Sequence, residues 1–291
     1  MMNSTLALPP CPSLEQRHLR PERVNTELGD LEALVPAAAP YLCEDAGAPA
    51  LVLVPGLGVD GLTYLRQLPL GSRARIRLFQ LPNEPAAGEA GLAAFARCVE
   101  AYLAGSGLAQ RPGGIVLGGS SMGGAVSLIV AQRARIKLRG LVLIGTFGSA
   151  KHLPAWQRFC APLAHVLPPS LVRACAWQLL SRLNYFGTVS HEEAVWLTTN
   201  KIQRTRRYFG LAVGALTAFD AVEAAKGLGV PTLVLHGTKD RVLPFEAGQE
   251  LARVIPGAKF VAVADAGHAL YFTHYQLVNA AIAEFLGQGI H

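Results

Sequence analysis

The sequence predicts an α/β fold, a mostly parallel and doubly wound sheet that carries one helical insertion. Three observations predict it. Short, continuously apolar, β-branched runs recur along the chain, and amphipathic helical patterns separate them. The rhythm lapses once, between residues 147 and 226, where helix-like stretches rich in aromatics replace the strands.

Taken in order, residues 1–49 contain PP and PAAAP and few apolar runs, so residues 1–47 are expected to form an N-terminal segment that is partly disordered. The run ALVLVP (50–55) opens a domain expected to span residues 48–288. RIRLFQLP (75–82), GIVLGG (114–119), GLVLIG (140–145), TLVLHG (232–237) and KFVAVA (259–264) follow it. Such runs fit strands buried on both faces of a parallel sheet. AGLAAFARCVEAYLAG (90–105) and GGAVSLIVAQRA (123–134) have helical spacing, and strand–helix alternation implies right-handed crossovers. The insertion carries Trp156, Phe159, Trp177, Tyr185, Trp196, Tyr208 and Phe209 and reads as helices lying over the sheet. No internal repeat is visible.

Composition narrows the function classes. Of 291 residues, 51% are hydrophobic and 16% charged, which suits a large core and excludes global disorder. No apolar stretch approaches the roughly 18 residues needed to span a bilayer. The start, MMNSTLALPPCP, lacks the basic n-region of a signal peptide, and the five cysteines are scattered without C-x-x-C spacing. Reduced thiols in a cytoplasmic protein are the expectation. The net charge of +6 concentrates at RARIKLR (133–139) and KIQRTRR (201–207), but no nucleic-acid-binding motif accompanies it, so a solvated face is expected rather than a nucleic-acid partner. There is no H-E-x-x-H, P-loop or paired-cysteine site, hence no metal or cofactor is implied.

Chemistry is concentrated in VLGGSSMGGAVSL (116–128). Gly119-Ser120-Ser121-Met122-Gly123 satisfies G-x-S-x-G between a strand and a helix, the context that motif requires. Ser120 would need a glycine where Met122 stands, so Ser121 is the candidate nucleophile. A serine hydroxyl needs a base and an oxyanion site to be useful. TLVLHG leads into TKDRVLP, which puts Asp240 just past one strand end, and KFVAVA leads into DAGHAL, which puts His268 past the next. Functional groups of open α/β sheets gather at those carboxyl ends, and the order Ser…Asp…His is the one this elbow predicts. His236, in its HG turn, is read as structural, and His274 as part of the last helix. Asp265 is read as bracing its loop and Asp220 as capping a helix. PGLGVDG also matches G-x-G-x-x-G, with Glu84 near the acidic position, but a dinucleotide-binding oxidoreductase would leave GSSMG, HGTKD and AGH unexplained.

Over roughly residues 48–288 the chain resembles the α/β-hydrolase superfamily, on PGLG (55–58), GSSMG (119–123), HGTKDRVLP (236–244) and AGHALYF (267–273). The resemblance implies Ser121 as nucleophile, His268 as base and Asp240 as its orienting acid. It also implies an oxyanion hole from the backbone N–H groups of Leu57 and Met122. It makes the insertion a cap that shapes the acyl pocket, with Trp156, Trp177 and Trp196 as candidate lining. One departure is Pro55-Gly56 where the family commonly has His-Gly, which removes an imidazole brace from the oxyanion loop. The expected activity is hydrolysis of an ester or thioester with an apolar acyl group. Acyltransferase, perhydrolase and carbon–carbon hydrolase chemistry stay open, because fold does not fix reaction. A ligand-binding protein without turnover is the alternative of another class. Size, cap and motif set are similar to those of the pimeloyl-[acyl-carrier protein] methyl ester carboxylesterases. That similarity implies an acidic acyl carrier protein as a partner, docking on basic residues of the insertion such as Arg204 and Arg207.

Overall fold

The computed structural model describes residues 18–85, 87–153, 155 and 205–287. Among them, eight strands form one sheet: β1 (Leu19–Thr26), β2 (Gly29–Pro36), β3 (Ala50–Val54), β4 (Arg75–Gln80), β5 (Ile115–Ser120), β6 (Gly140–Ile144), β7 (Thr232–Gly237) and β8 (Lys259–Val263). Their spatial order is β1-β2-β4-β3-β5-β6-β7-β8. The β1–β2 and β2–β4 pairs are antiparallel and all the others are parallel.

The six expected apolar runs are β3 to β8. Every residue of β3, β5, β6 and β7 is buried, as strands covered on both faces require. The expectation does not hold for β8. It is the last strand in the sheet, and Lys259 and Ala262 are exposed on it.

The β1–β2 hairpin has no counterpart in the expected elements. Its outer strand, LRPERVNT, is polar and contains Pro21, which an edge strand tolerates because one side makes no ladder bonds. The inner strand alternates, burying Leu31, Ala33 and Val35, so a period-2 signal was present in DLEALVP. Glu22 anchors the hairpin, accepting from Arg77 Nε at 2.7 Å and Tyr102 Oη at 2.6 Å.

Helices cover both faces. The first face holds α1 (Leu92–Gly105), α2 (Met122–Arg133), α3 (Arg206–Thr217), α4 (Val222–Ala225) and α5 (Phe245–Val254), which bury Phe95, Val126, Tyr208, Ala225 and Leu251 against Val52, Val54, Leu117 and Leu143. The second holds the 3-10 segment Gly61–Ser72, α6 (Leu270–Thr273) and α7 (Tyr275–Gly287), burying Leu65, Leu270, Ile282 and Phe285 against Leu51, Leu53, Val116 and Val142. Alternate residues of one strand thus serve opposite cores, which is why the runs are continuously apolar.

Of the insertion, α3 and α4 are described. Its base is closed beside β6: Ala150 N donates to Phe219 O at 2.7 Å and Ala221 N to Gly148 O at 2.8 Å. Among the described residues, no helix is long and apolar enough to cross a membrane.

Candidate active site

Four loops leave the carboxyl ends of β3, β5, β7 and β8, and each carries one element of the site. The loop after β5 makes the sharpest turn. Ser121 has φ 52° and ψ −123°, a backbone region that costs a non-glycine residue of order 1–3 kcal/mol. Its neighbours hold it there. Ser121 N donates to Ile144 O at 3.1 Å, while Gly124 N and Ala125 N donate to Ser121 O at 3.0 and 3.1 Å. Thr146 Oγ1 donates to the same carbonyl at 2.6 Å. No motif marks Thr146, so this contact was not visible in the sequence.

The glycines answer a demand for close approach. A Cβ on Gly119 would lie 2.3 Å from Gly123 O, and one on Gly123 would lie 2.1 Å from Val54 O. Strand β5, helix α2 and the end of β3 therefore pack backbone to backbone. The loop Pro55–Gly58 then borders the elbow, since a Cβ on Gly56 would stand 3.4 Å from Ser121 Cβ. Met122 is the first residue of α2, whose opening N–H groups have no intrahelical acceptor. Leu57 lies in the facing loop and is half-buried.

Asp240 follows β7 and His268 follows β8. His268 Nδ1 and Asp240 Oδ2 are 2.8 Å apart. A carboxylate only accepts, so Nδ1 carries a proton, and Nε2 is the ring nitrogen left for a second partner. The other carboxylate oxygen, Oδ1, accepts from Val242 N at 2.8 Å and Leu243 N at 2.9 Å. Burial works against ionisation of Asp240. The attraction of His268 and the hydrogen bonds from His236 and His268 outweigh it and hold the carboxyl well below the ordinary carboxylate range. The pair adjoins the elbow through β6: a Cβ on Gly145, one residue past Ile144, would lie 3.4 Å from His268 O and 3.7 Å from Asp240 Oδ2.

His236, expected to be structural, touches this pair. Its Nε2 lies 3.3 Å from Asp240 Oδ2 and 3.2 Å from Leu243 O, both acceptors, so Nε2 is protonated. Its Nδ1 faces α5, where a Cβ on Gly248 would stand 2.4 Å away. Glycine at 248 is therefore what admits the imidazole. Asp265, by contrast, is exposed, has φ 59°, and pairs with Lys239 Nζ at 2.7 Å. Asp220, expected to cap a helix, stands one residue before the N-cap Ala221 of α4, where it accepts from Val222 N at 3.1 Å and from Ser149 Oγ at 3.0 Å. His274 lies at the junction of α6 and α7 rather than inside a helix, with Thr273 Oγ1 2.9 Å from its Nδ1. Trp156, Trp177 and Trp196 lie outside the described residues. What the structure does place over the Pro55–Gly58 loop is Phe209 of α3, whose ring would be 2.9 Å from a Cβ on Gly58. No group of three or more metal-ligating side chains occurs among the described residues.

A family model described as "Alpha/beta hydrolase family" matches residues 51–281. The chain is 29% identical over 241 residues, 78% of this chain and 93% of that one, to a pimeloyl-[acyl-carrier protein] methyl ester esterase of Aromatoleum aromaticum. It is 29% identical over 262 residues to polyketide synthase ThaQ of Burkholderia thailandensis, covering 82% of this chain and 12% of the synthase. A 71-residue match at 38% identity covers 24% of this chain and 26% of AB hydrolase superfamily protein YisY of Bacillus subtilis. The chain thus spans about a quarter or less of the length of these last two relatives. Among solved structures, a thermophilic esterase from Thermogutta terrifontis superposes with TM-score 0.73 at 26% identity, covering 94% of this chain and 99% of that one.

Proposed function

Since the chain belongs to the alpha/beta hydrolase family, we propose that it hydrolyses carboxylic esters or thioesters of apolar acyl groups through an acyl-enzyme on Ser121. One observation carries the reading. The 2.8 Å His268–Asp240 pair follows the parallel strands β7 and β8 at the same carboxyl edge of the sheet at which β5 ends in a strained Ser121.

In this reading Ser121 Oγ attacks the acyl carbon while His268 Nε2 takes its proton. The carbonyl oxygen becomes an oxyanion, stabilised by the N–H groups of Leu57 and Met122. The carbon–oxygen or carbon–sulfur bond to the leaving group then breaks, and His268 returns the proton to the departing alcohol or thiol. Water, deprotonated by the same imidazole, attacks the acyl-enzyme, and collapse releases the acid and restores Ser121. Asp240 holds His268 with Nδ1 protonated and stabilises the imidazolium. The insertion forms a cap over the acyl group, with Phe209 at its floor. The similarity to the pimeloyl-[acyl-carrier protein] methyl ester esterase supports an ester substrate and extends the reading to delivery by an acyl carrier protein.

A hydrolysis screen tests the reading with esters of graded chain length, and with one acyl group carried both on a small alcohol and on a carrier protein. Ser121→Ala is expected to fold normally and lose about 10³-fold or more in turnover. A fluorophosphonate should label the wild type and not this variant. Retained turnover in Ser121→Ala, or its loss in Ser120→Ala instead, would sink the assignment.

A further inference from the structure

The last step of the β3–β5 ladder carries a side chain. The strands pair in parallel from Ala50↔Ile115 to Val54↔Gly119. Ala50 N donates to Gly114 O at 2.9 Å, which sets the phase. In a parallel ladder alternate residues of one strand bond the residues flanking their partners. Ala50, Val52 and Val54 are therefore the residues facing β5, and at the last step Ser120 N faces Val54 O.

One side chain bonds both groups. Ser120 N donates to Tyr64 Oη at 2.7 Å, and Tyr64 Oη donates to Val54 O at 2.8 Å. Ser120 Oγ is 2.9 Å from the same phenol oxygen. The protons can be assigned by elimination. The amide can only donate, the carbonyl can only accept, and the phenol has one proton, so the Ser120 hydroxyl donates to Tyr64. Burial, above all, pushes the Tyr64 phenol far above its ordinary pKa, so the proton stays on oxygen. Tyr64 and Ser120 are 0% and 2% exposed, so water does not compete for these groups.

The phenol oxygen bonds both strands where the site begins, 2.7 Å from Ser120 N and 2.8 Å from Val54 O. Past this point β3 runs into Pro55–Gly58 and β5 into the Ser121 elbow. Pro55 has neither an N–H nor a polar side chain with which to brace its loop. Tyr64 sits at a non-helical kink, φ −102° and ψ 18°, inside Gly61–Ser72. The same segment reaches the histidine loop. The Tyr64 and Tyr271 rings lie 5.2 Å apart, and Gln67 Nε2 donates to Tyr271 O at 2.6 Å, three residues past His268.

We propose that Tyr64 is a positioning residue of this site, whose hydroxyl bridges the ends of β3 and β5 and sets the gap between the Leu57 and Met122 N–H groups. The inference rests on the acyl-enzyme reading above. Removing the hydroxyl takes one hydrogen bond from Ser120 N–H and one from Val54 C=O. That loss moves one oxyanion donor relative to the other, and displacements near 1 Å cost on the order of 10²-fold in rate.

The test is Tyr64→Phe, assayed as kcat per active site titrated with a fluorophosphonate, alongside KM and melting temperature. The expected result is a fall in kcat per titrated site of about 10- to 100-fold with KM within about threefold, since the lost stabilisation belongs to the transition state. A purely structural role would lower the melting temperature and the titratable fraction while leaving kcat per site at the wild-type value, and that outcome overturns the proposal. If Tyr64→Phe does not fold, Ser120→Ala serves instead, because it loosens the phenol and keeps the bridge. It should lower kcat by roughly 2- to 10-fold at unchanged KM, and an unchanged kcat overturns the proposal. The parent reading is checked separately. Turnover in Ser121→Ala would refute the acyl-enzyme, whereas an inactive Ser121→Ala beside a fully active Tyr64→Phe refutes only the role of Tyr64.

Discussion

Substituting Asp240→Asn changes the shape of the buried carboxylate little and its hydrogen bonding a great deal. The amide oxygen can keep the position of Oδ1, where Val242 N and Leu243 N donate at 2.8 and 2.9 Å. The amide NH₂ then stands where Oδ2 stood, facing Nδ1–H of His268 and Nε2–H of His236. Two donors cannot share a bond, so His268 must move its proton to Nε2, and an imidazole protonated there cannot act as the base. Loss of the correct tautomer costs about 10⁴-fold in kcat, or roughly 5.4 kcal/mol at 1.36 kcal/mol per factor of ten. Stability falls as well. The side chain of Asp240 is fully buried, and at Oδ2 a strong charge-assisted bond to His268 and a longer one to His236 are lost. At about 1.5–3 kcal/mol for a bond to a charged group, a loss of roughly 2–4 kcal/mol is expected. At about 2 °C per kcal/mol for a chain of this size, the melting temperature should drop roughly 4–8 °C. Because the folded-state pKa of Asp240 is lowered, its stabilising contribution is complete above the ordinary aspartate value and lost as pH falls through the folded value. The stability gap between wild type and Asp240→Asn should therefore narrow below about pH 4. Steady-state kinetics and melting curves across pH measure both effects. A variant within tenfold of wild-type kcat, a gap that fails to narrow in acid, or inactivity of Asp265→Asn instead would refute the reasoning.

Gly123→Ala should abolish soluble folding or cost more than about 4 kcal/mol, because its Cβ would sit 2.1 Å from Val54 O and 2.5 Å from Pro55 O, both backbone atoms that cannot step aside. The control is Gly214→Ala, in the middle of α3 with no described atom within 4 Å of its Cβ, which should stabilise by about 0.5–1 kcal/mol; denaturant melts of the two variants decide. Phe209→Ala opens space above Gly58, so kcat/KM should shift toward longer or bulkier acyl groups while acetyl esters change less than about threefold. Equal loss across the whole ester series would make Phe209 core only.

Much of the candidate site is legible in the chain because the demands it answers are local. Ser121 is marked by neighbours that must be glycine, since backbones of β5, α2 and β3 meet there, and no other residue lacks the Cβ that would collide. Asp240 and His268 are marked by position, just past apolar runs that read as strands, of which β7 is covered on both faces and β8 is the exposed edge. The parallel sheet follows from those same runs. What escaped sequence reading depends on partners far along the chain. The β1–β2 hairpin is polar because it is an edge, so it lacks the apolar signature of its neighbours. His236 touches Asp240 because Gly248, twelve residues on, leaves room for the ring, and nothing in an HG turn announces that. Tyr64 looks like one more aromatic in a helical stretch. Only the register of β3 against β5 shows that its hydroxyl joins the two strand ends beside Ser121. A ladder's phase is a property of two strands brought together by folding, and neither strand contains it alone.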